Sequence, residues 1–161
     1  MNVKIAGNFT QYLEAEMQPN EVFITEPGAM TYYQEGIKME VLFLNKGLSG
    51  IFKRLFSGEE ITMVKFINNS NSDKRLVLSS NAIICPIKIN DFSNELICAK
   101  TAFFASTKDI NISLDIDRSI SRGLVGGLGI LRQKIYGSGT VFLKGFGEVK
   151  KVELNGGKII I

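Results

Sequence analysis

The chemistry open to this chain is limited first by a missing residue type. None of its 161 residues is a histidine. Without an imidazole the chain has no histidine general base, no Ser-His or Cys-His nucleophile pair, and none of the ligands that hold most zinc and copper ions. An enzyme would have to depend on carboxylates alone, and no pair of them has a recognisable spacing. We therefore expect no enzymatic activity, no metal ion and no cofactor.

The remaining reactive side chains give weak signals. A lysine close to Cys98, in Cys98-Ala99-Lys100, could make the thiol more acidic, but the apolar run around it favours a buried structural cysteine. Asp115-Ile116-Asp117 resembles a fragment of a calcium loop, yet the other ligands and the central glycine are absent. These carboxylates are expected to be solvated at a strand end. A disulfide between Cys85 and Cys98 stays open, because a chain without an export signal usually keeps its thiols reduced.

The sharpest local motif is Glu26-Pro27-Gly28. Proline fixes φ and glycine permits a positive φ, so the pair is typical of a type II turn between two strands. The alternative is a carboxylate held at a rigid turn for a ligand. Turn chemistry accounts for both residues, and we favour it.

A second glycine motif spans Gly123-Leu124-Val125-Gly126-Gly127-Leu128-Gly129. A phosphate loop needs a strand before it and a helix after it, whose amides hold the anion. Here a strand-like segment follows, and no Gly-Lys-Ser/Thr occurs. A structural glycine loop is the better interpretation.

The segment Gly50 to Phe56 is the one candidate helix, with Ser49 as N-cap and Gly58 beyond its end. Its apolar face lies beside two cations and suits a membrane surface or a partner's groove, or else a plug over the core. We favour the plug, because one or two turns are too short for stable membrane binding. The candidate interaction surface is Leu48, Ile51, Phe52, Lys53, Arg54, Leu55 and Phe56.

Two aromatic pairs, Tyr32-Tyr33 and Phe103-Phe104, occupy nearly equivalent places in the two halves of the sequence. A stacking platform for nucleic-acid bases is one interpretation. No basic stripe accompanies them, so we expect core packing, with one member of each pair buried and the other at the surface.

These residues are carried by a sequence that repeats its own pattern. Ile37 to Val41 alternates apolar and polar residues before a glycine-rich turn and a strand-like run, and Ile110 to Leu114 begins the same order again. The alternation predicts a single all-β domain over residues 1–161, with a repeat over about 22–90 and 96–154, folded as a sandwich or barrel. Asn68 to Asp73 is predicted to be a hairpin loop, with Gly137-Ser138-Gly139 as its counterpart. The predicted strands are Val22 to Thr25, Ala29 to Tyr33, Ile37 to Phe43, Ile61 to Asn68, Leu76 to Leu78, Ile83 to Ile89, Leu96 to Ala99, Ala102 to Ala105, Ile110 to Asp115, Ile130 to Tyr136, Thr140 to Lys144, Val149 to Leu154 and Lys158 to Ile161.

Composition adds mainly exclusions. Apolar residues make up 45% of the chain and charged residues 22%, which is ordinary for a globular protein. The net charge of +3 does not by itself imply nucleic acid or an anionic membrane. No apolar run approaches the ~18 residues of a membrane-spanning helix, and residues 1–18 lack the pattern of a leader. A cytoplasmic location is the expectation.

In Glu26 to Met30, Gly36 to Val41, Gly47 to Gly58, Arg122 to Gly129 and Ser138 to Gly145 the chain resembles the AIM24 family, which has a TRAP-like fold. The resemblance implies repeated strand units related to short double-stranded β-helices. It also implies a third copy in family members, of which Gly156 to Ile161 looks like the beginning. A missing copy would leave strand edges and apolar faces open, and self-association is one way to cover them. The family supplies no catalytic residue to transfer.

Taken together, the sequence favours a non-catalytic scaffold or assembly module that acts through protein contacts, as a homo-oligomer or with a protein partner. The alternative is a binding module for a membrane surface or nucleic acid. Membrane contact would depend on the candidate interaction surface. Nucleic acid is disfavoured because the cations are scattered in sequence.

Overall fold

A computed structural model describes residues 1–8, 10–43, 62–108, 110–117 and 130–153. Alternating apolar and polar residues make almost all of these residues extended. The strands are β1 (Asn2–Ala6), β2 (Gln11–Met17), β3 (Val22–Thr25), β4 (Met30–Tyr33), β5 (Ile37–Phe43), β6 (Thr62–Asn68), β7 (Lys74–Ser80), β8 (Ile83–Lys88), β9 (Glu95–Ala99), β10 (Phe103–Ser106), β11 (Ile110–Asp117), β12 (Ile130–Gly137) and β13 (Thr140–Gly145). A short 3-10 helix, Ile89–Phe92, lies between β8 and β9.

The strands form three antiparallel sheets. Sheet A has the order β1-β2-β7-β4, sheet B the order β5-β6-β3-β10-β13-β8, and sheet C the order β11-β12-β9. Sheet B contributes to both hydrophobic cores. On β3, Phe23 belongs to the same buried cluster as Leu76 of sheet A, whereas the next residue, Ile24, belongs with Ile135 of sheet C. Because successive strand residues point to opposite faces, sheet B is the middle layer. The predicted all-β fold with sheets packed face to face is confirmed.

Two sets of six strands make the same pairings in the same order. In the first set, β2 to β7, strand β6 lies between β3 and β5, and β7 lies between β2 and β4. In the second set, β8 to β13, strand β12 lies between β9 and β11, and β13 lies between β8 and β10. One pairing, β3 with β10, connects the two sets. We call this pairing the β3–β10 joint.

The two sets also agree in register. Phe23 lies opposite Phe66 in the first set, as Leu96 lies opposite Ile135 in the second. Strands β4 and β10 each contain a bulge at the same place, between Met30 and Tyr32 and between Phe103 and Ala105. Bulges are specific features of a sheet, so a shared bulge is a close correspondence. Duplication of the sequence stays a prediction, and this agreement supports it.

Most predicted strands between Val22 and Lys144 are present, with ends that differ by a residue or two. Strands β1 and β2 were not predicted, nor was the 3-10 helix. The prediction of a strand at Val149 to Leu154 is wrong for residues 149–153, which are not extended in any sheet. Lys158 to Ile161 lies outside the described residues.

The predicted hairpin at Asn68 to Asp73 is also wrong. This loop connects β6 of sheet B with β7 of sheet A, and Gly137 to Gly139 likewise connects β12 of sheet C with β13 of sheet B. Both segments cross between layers, because their flanking strands pair with other neighbours. A polar turn between two strands indicates a change of direction and does not specify which strands pair.

Asn68 fixes the crossing from sheet B to sheet A. Its side chain is fully buried, and its Nδ2 donates to the carbonyl oxygens of Met17 at 2.8 Å and Ser72 at 2.9 Å. Its Oδ1 accepts hydrogen bonds from the backbone N and the Oγ of Ser70. A buried amide with both ends satisfied holds the loop against β2 and is costly to replace.

Candidate interaction edges

The candidate interaction surface predicted from sequence, Leu48, Ile51, Phe52, Lys53, Arg54, Leu55 and Phe56, lies outside the described residues. The predicted helical turn over residues 50–56 and the glycine loop over residues 123–129 lie outside them as well. Other motifs discussed in the sequence analysis, Glu26-Pro27-Gly28, the two cysteines and Asp115-Ile116-Asp117, do lie within the described residues.

Two contacts with other strands fix the position of Glu26. Its Oε1 lies 2.5 Å from Nζ of Lys144, and its backbone N–H donates to the carbonyl oxygen of Phe104 at 2.9 Å. Gly28 has a φ of 82°, the positive value expected for the turn. The carboxylate therefore ties the turn to β13, and the interpretation of Glu26-Pro27-Gly28 as a structural turn agrees with this geometry.

The two cysteines are free thiols. Burial raises the pKa of Cys98 to about 11, which is the opposite direction to that of an activated nucleophile. Asp115 to Asp117 lies within β11, opposite residues 130 to 132 of β12. Within the described ranges, no group of three or more cysteine, aspartate and glutamate side chains is arranged to hold a metal ion.

A cavity of about 550 Å³ lies beside β1, lined by Met1, Val3, Ile5, Glu21, Pro86, Thr107, Lys108, Thr140 and Phe142. Its carboxylate is already engaged. Oε1 of Glu21 lies 2.7 Å from the amino group of Met1, and Oε2 accepts from the backbone N of Gln18 at 2.8 Å. Both oxygens of Glu21 therefore already have a hydrogen-bond partner within the chain.

The strongest candidate is a pair of sheet edges. Among the described residues, β4 pairs only with β7 and β9 pairs only with β12. Their counterparts in the other set, β10 and β3, are each paired on both sides, because they meet at the β3–β10 joint. We call the unpaired sides the β4 edge and the β9 edge.

Exposure differs sharply between each edge and its counterpart. All four residues of β4 are exposed, with Tyr32 at 47% and Tyr33 at 38%, whereas all four residues of β10 are buried. On β9, Ile97 is 44% exposed, while its counterpart Ile24 on β3 is 2% exposed. Two features of the fold account for the difference: β3 and β10 lie in the middle layer, where sheets A and C cover both faces, and the β3–β10 joint also pairs their edges. Strands β4 and β9 lie in the outer sheets, and each has one paired side among the described residues.

An apolar stripe on β5 lies near the β4 edge. Met39, Val41 and Phe43 are 46%, 49% and 55% exposed and alternate along one face of the strand. Met39 lies opposite Phe66, whose ring packs against Tyr33 with centroids 5.8 Å apart. Because Phe66 is fully buried, it packs beneath both Met39 of the stripe and Tyr33 of the β4 edge. Large exposed apolar patches of this kind mark interaction sites in soluble proteins.

The family model described as mitochondrial biogenesis AIM24 matches residues 3–161. The chain belongs to the AIM24 family. The resemblance read from the sequence motifs is thereby confirmed.

A solved structure supports the fold of this AIM24-family chain. The X-ray structure of protein SPYM3_0169 from Streptococcus pyogenes is similar with a TM-score of 0.67 and 21% sequence identity, over 95% of this chain and 68% of that one. At this identity the likeness concerns the fold alone. No curated protein matches the sequence. In the part of the chain that the structure describes, no helix is long and apolar enough to cross a bilayer.

Sequence reasoning predicted open strand edges but did not locate them, because it treated the two aromatic pairs alike. The expectation of one buried and one exposed member in each pair is wrong, since both tyrosines are exposed and both phenylalanines are buried. One signal was present. The second set has small Ala105 and Ser106 where the first has Tyr32 and Tyr33. Small residues are typical of a closely packed strand contact. Tyrosine has an apolar ring and a polar hydroxyl group, and it suits a surface that is partly exposed to water.

Proposed function

We propose that this chain is a non-catalytic assembly module that acts through protein contacts, with a second copy of itself or with another protein. The observation that carries the proposal is the pair of edges of β4 and β9, which have no partner strand among the described residues, whereas their counterparts β10 and β3 are joined within the chain. An open strand edge offers backbone donors and acceptors to another strand, and addition of a strand is a common mode of recognition.

The side chains of both edges support this role. Met30, Tyr32 and Tyr33 on β4 are apolar or aromatic, and each is more than one third exposed. Strands that must stay unpaired usually carry lysine, proline or an inward charge. Strand β4 contains none of these, and the single charged residue of β9, Glu95, lies 3.7 Å from Nζ of Lys134 on the neighbouring strand.

Light scattering over a hundredfold dilution series tests the proposal. An oligomer whose mass persists on dilution is the expected result. A chain that is monomeric at every concentration, and that recovers no protein partner through its edges, would refute it. Vesicle binding by such a monomer, abolished by Phe52→Asp, would instead support the alternative membrane-binding function. An affinity for nucleic acid that falls steeply with salt concentration would support the alternative nucleic-acid-binding function.

A further inference from the structure

We infer that the β4 edge of one chain pairs with the β9 edge of a second copy, in the register that β10 and β3 use within the chain. This inference rests on the proposed assembly function and names its partner and contact. The inference predicts which residues of the two copies lie opposite each other. An experiment can therefore refute this contact while self-association remains supported.

The β3–β10 joint provides the geometry. It pairs Ala105 with Thr25 and Ser106 with Ile24, and its strands are antiparallel. It is reinforced by the carbonyl oxygen of Phe104, which accepts from Oγ1 of Thr25 at 2.9 Å and from the backbone N of Glu26 at 2.9 Å. This oxygen belongs to the extra residue of the bulge in β10.

The backbone part of this joint is available between copies, but its Oγ1 hydrogen bond is not, because Cys98 stands at the place of Thr25. The shared register makes Tyr32 and Tyr33 of β4 the counterparts of Ala105 and Ser106. It likewise makes Ile97 and Cys98 of β9 the counterparts of Ile24 and Thr25. A second copy would therefore bring Tyr32 opposite Cys98, and Tyr33 opposite Ile97.

The bulge in β4 does not oppose this pairing. Bulges can protect an edge from other chains, and β4 has one between Met30 and Tyr32. The same bulge occurs in β10, between Phe103 and Ala105, at an edge that is paired within the chain. In β4, the counterpart of Phe104 is Thr31. The carbonyl group of Thr31 is therefore available at the place that the Phe104 carbonyl has in the β3–β10 joint.

The contact joins two different surfaces and is head-to-tail. Each chain has one β4 edge and one β9 edge, so an open assembly keeps one free edge of each kind at its ends, whereas a closed ring has none. Such contacts either close into a ring or continue as a filament. Cross-linked species should therefore include products larger than two chains.

A single cysteine substitution tests the register, since Cys98 is native. In a Cys85→Ser background, Tyr32→Cys places a thiol opposite Cys98 of the second copy, within the Cα separations that both antiparallel pairs and disulfides have. Oxidation is carried out at about pH 9, because burial holds the Cys98 thiol protonated at neutral pH. Tyr33→Cys is the matched control, since the neighbouring side chain points to the other face of the sheet.

The expected result is a reducible band at the mass of two chains for Tyr32→Cys, with a ladder above it. The ladder should be weak for Tyr33→Cys and lost when Cys98→Ala is added. An oligomer by light scattering without any such band would overturn the β4–β9 contact and leave the proposed function standing. A disulfide formed within one chain, in a yield that dilution does not change, would refute the inference that the partner is a second copy. A monomer in every dilution would refute both.

Discussion

Ile97→Lys is the substitution that most directly tests the β9 edge. Ile97 is 44% exposed, and its counterpart Ile24, on the paired strand β3, is 2% exposed. Complete burial of an isoleucine contributes roughly 1.5–3 kcal/mol. Covering the exposed fraction of Ile97 would then contribute about 1 kcal/mol to each contact.

Lysine removes this contribution and adds the desolvation of an ammonium group, which is partly avoided if the side chain reaches solvent. We expect self-association to weaken by roughly 1–3 kcal/mol, which is roughly 5- to 150-fold in Kd. The folded chain should keep its stability, since Ile97 is already half exposed in it.

Sedimentation equilibrium measures the Kd, and circular dichroism melting of the separated chain measures stability. Tyr12→Lys is the matched control, because Tyr12 is 40% exposed but lies on β2, which pairs on both sides with β1 and β7. An unchanged Kd for Ile97→Lys, or an equal loss for Tyr12→Lys, would refute the argument that the unpaired edge drives assembly.

Four further predictions concern the fold that presents the edges. Asn68→Leu should lower the free energy of unfolding by roughly 2–4 kcal/mol in a urea titration, because it leaves the buried carbonyl of Met17 and other groups without their hydrogen bonds. Gln133→Leu should raise that free energy by about 1 kcal/mol, because Gln133 is 5% exposed and its Oε1 has no hydrogen-bond partner among the described residues; a loss of stability would contradict this. Alkylation of Cys98 at pH 8 should be roughly a hundredfold slower than that of a thiol with the ordinary pKa of 9.0, since burial raises its pKa to about 11. The raised pKa stabilises the fold below about pH 9 and this stabilisation is lost as the pH rises toward about 11, which thermal melts across that range should show.

The sequence predicts strands well where alternation and turn residues agree, as at Ile37–Phe43, whose bounds match the prediction. It missed β2, although Leu13, Ala15 and Met17 alternate there and are buried. Glu14, Ala15 and Glu16 are helix formers or poor strand formers, and they hide the alternation. Local propensity therefore obscured a strand that is determined by its two neighbours.

The opposite error occurred at residues 149–153. Val149 and Val152 are compatible with a strand in sequence, yet both are more than half exposed and belong to no sheet. A strand is stable only when a neighbour supplies its hydrogen bonds, and pairing over long separations cannot be read from a local pattern. The position of the open edges escaped prediction for the same reason, since exposure of Tyr32 depends on which strand stands beside β4.

The two edges follow from the way the strand sets are joined. Each set presents one β4-type edge and one β3-type edge, and a single joint uses one of each. Two sets in a row must therefore leave one edge of each type, and adding further sets in a line would only move them. Ring closure or a partner can cover them, and devices against pairing can protect them. The β4 edge, unpaired among the described residues, has Met30, Tyr32 and Tyr33 in place of lysine, proline or an inward charge. Its shortness, four residues, and its bulge are shared with β10, which pairs on both sides. A strand with these residues is suited to being covered, and Ile97 on β9 is the matching half of the same contact.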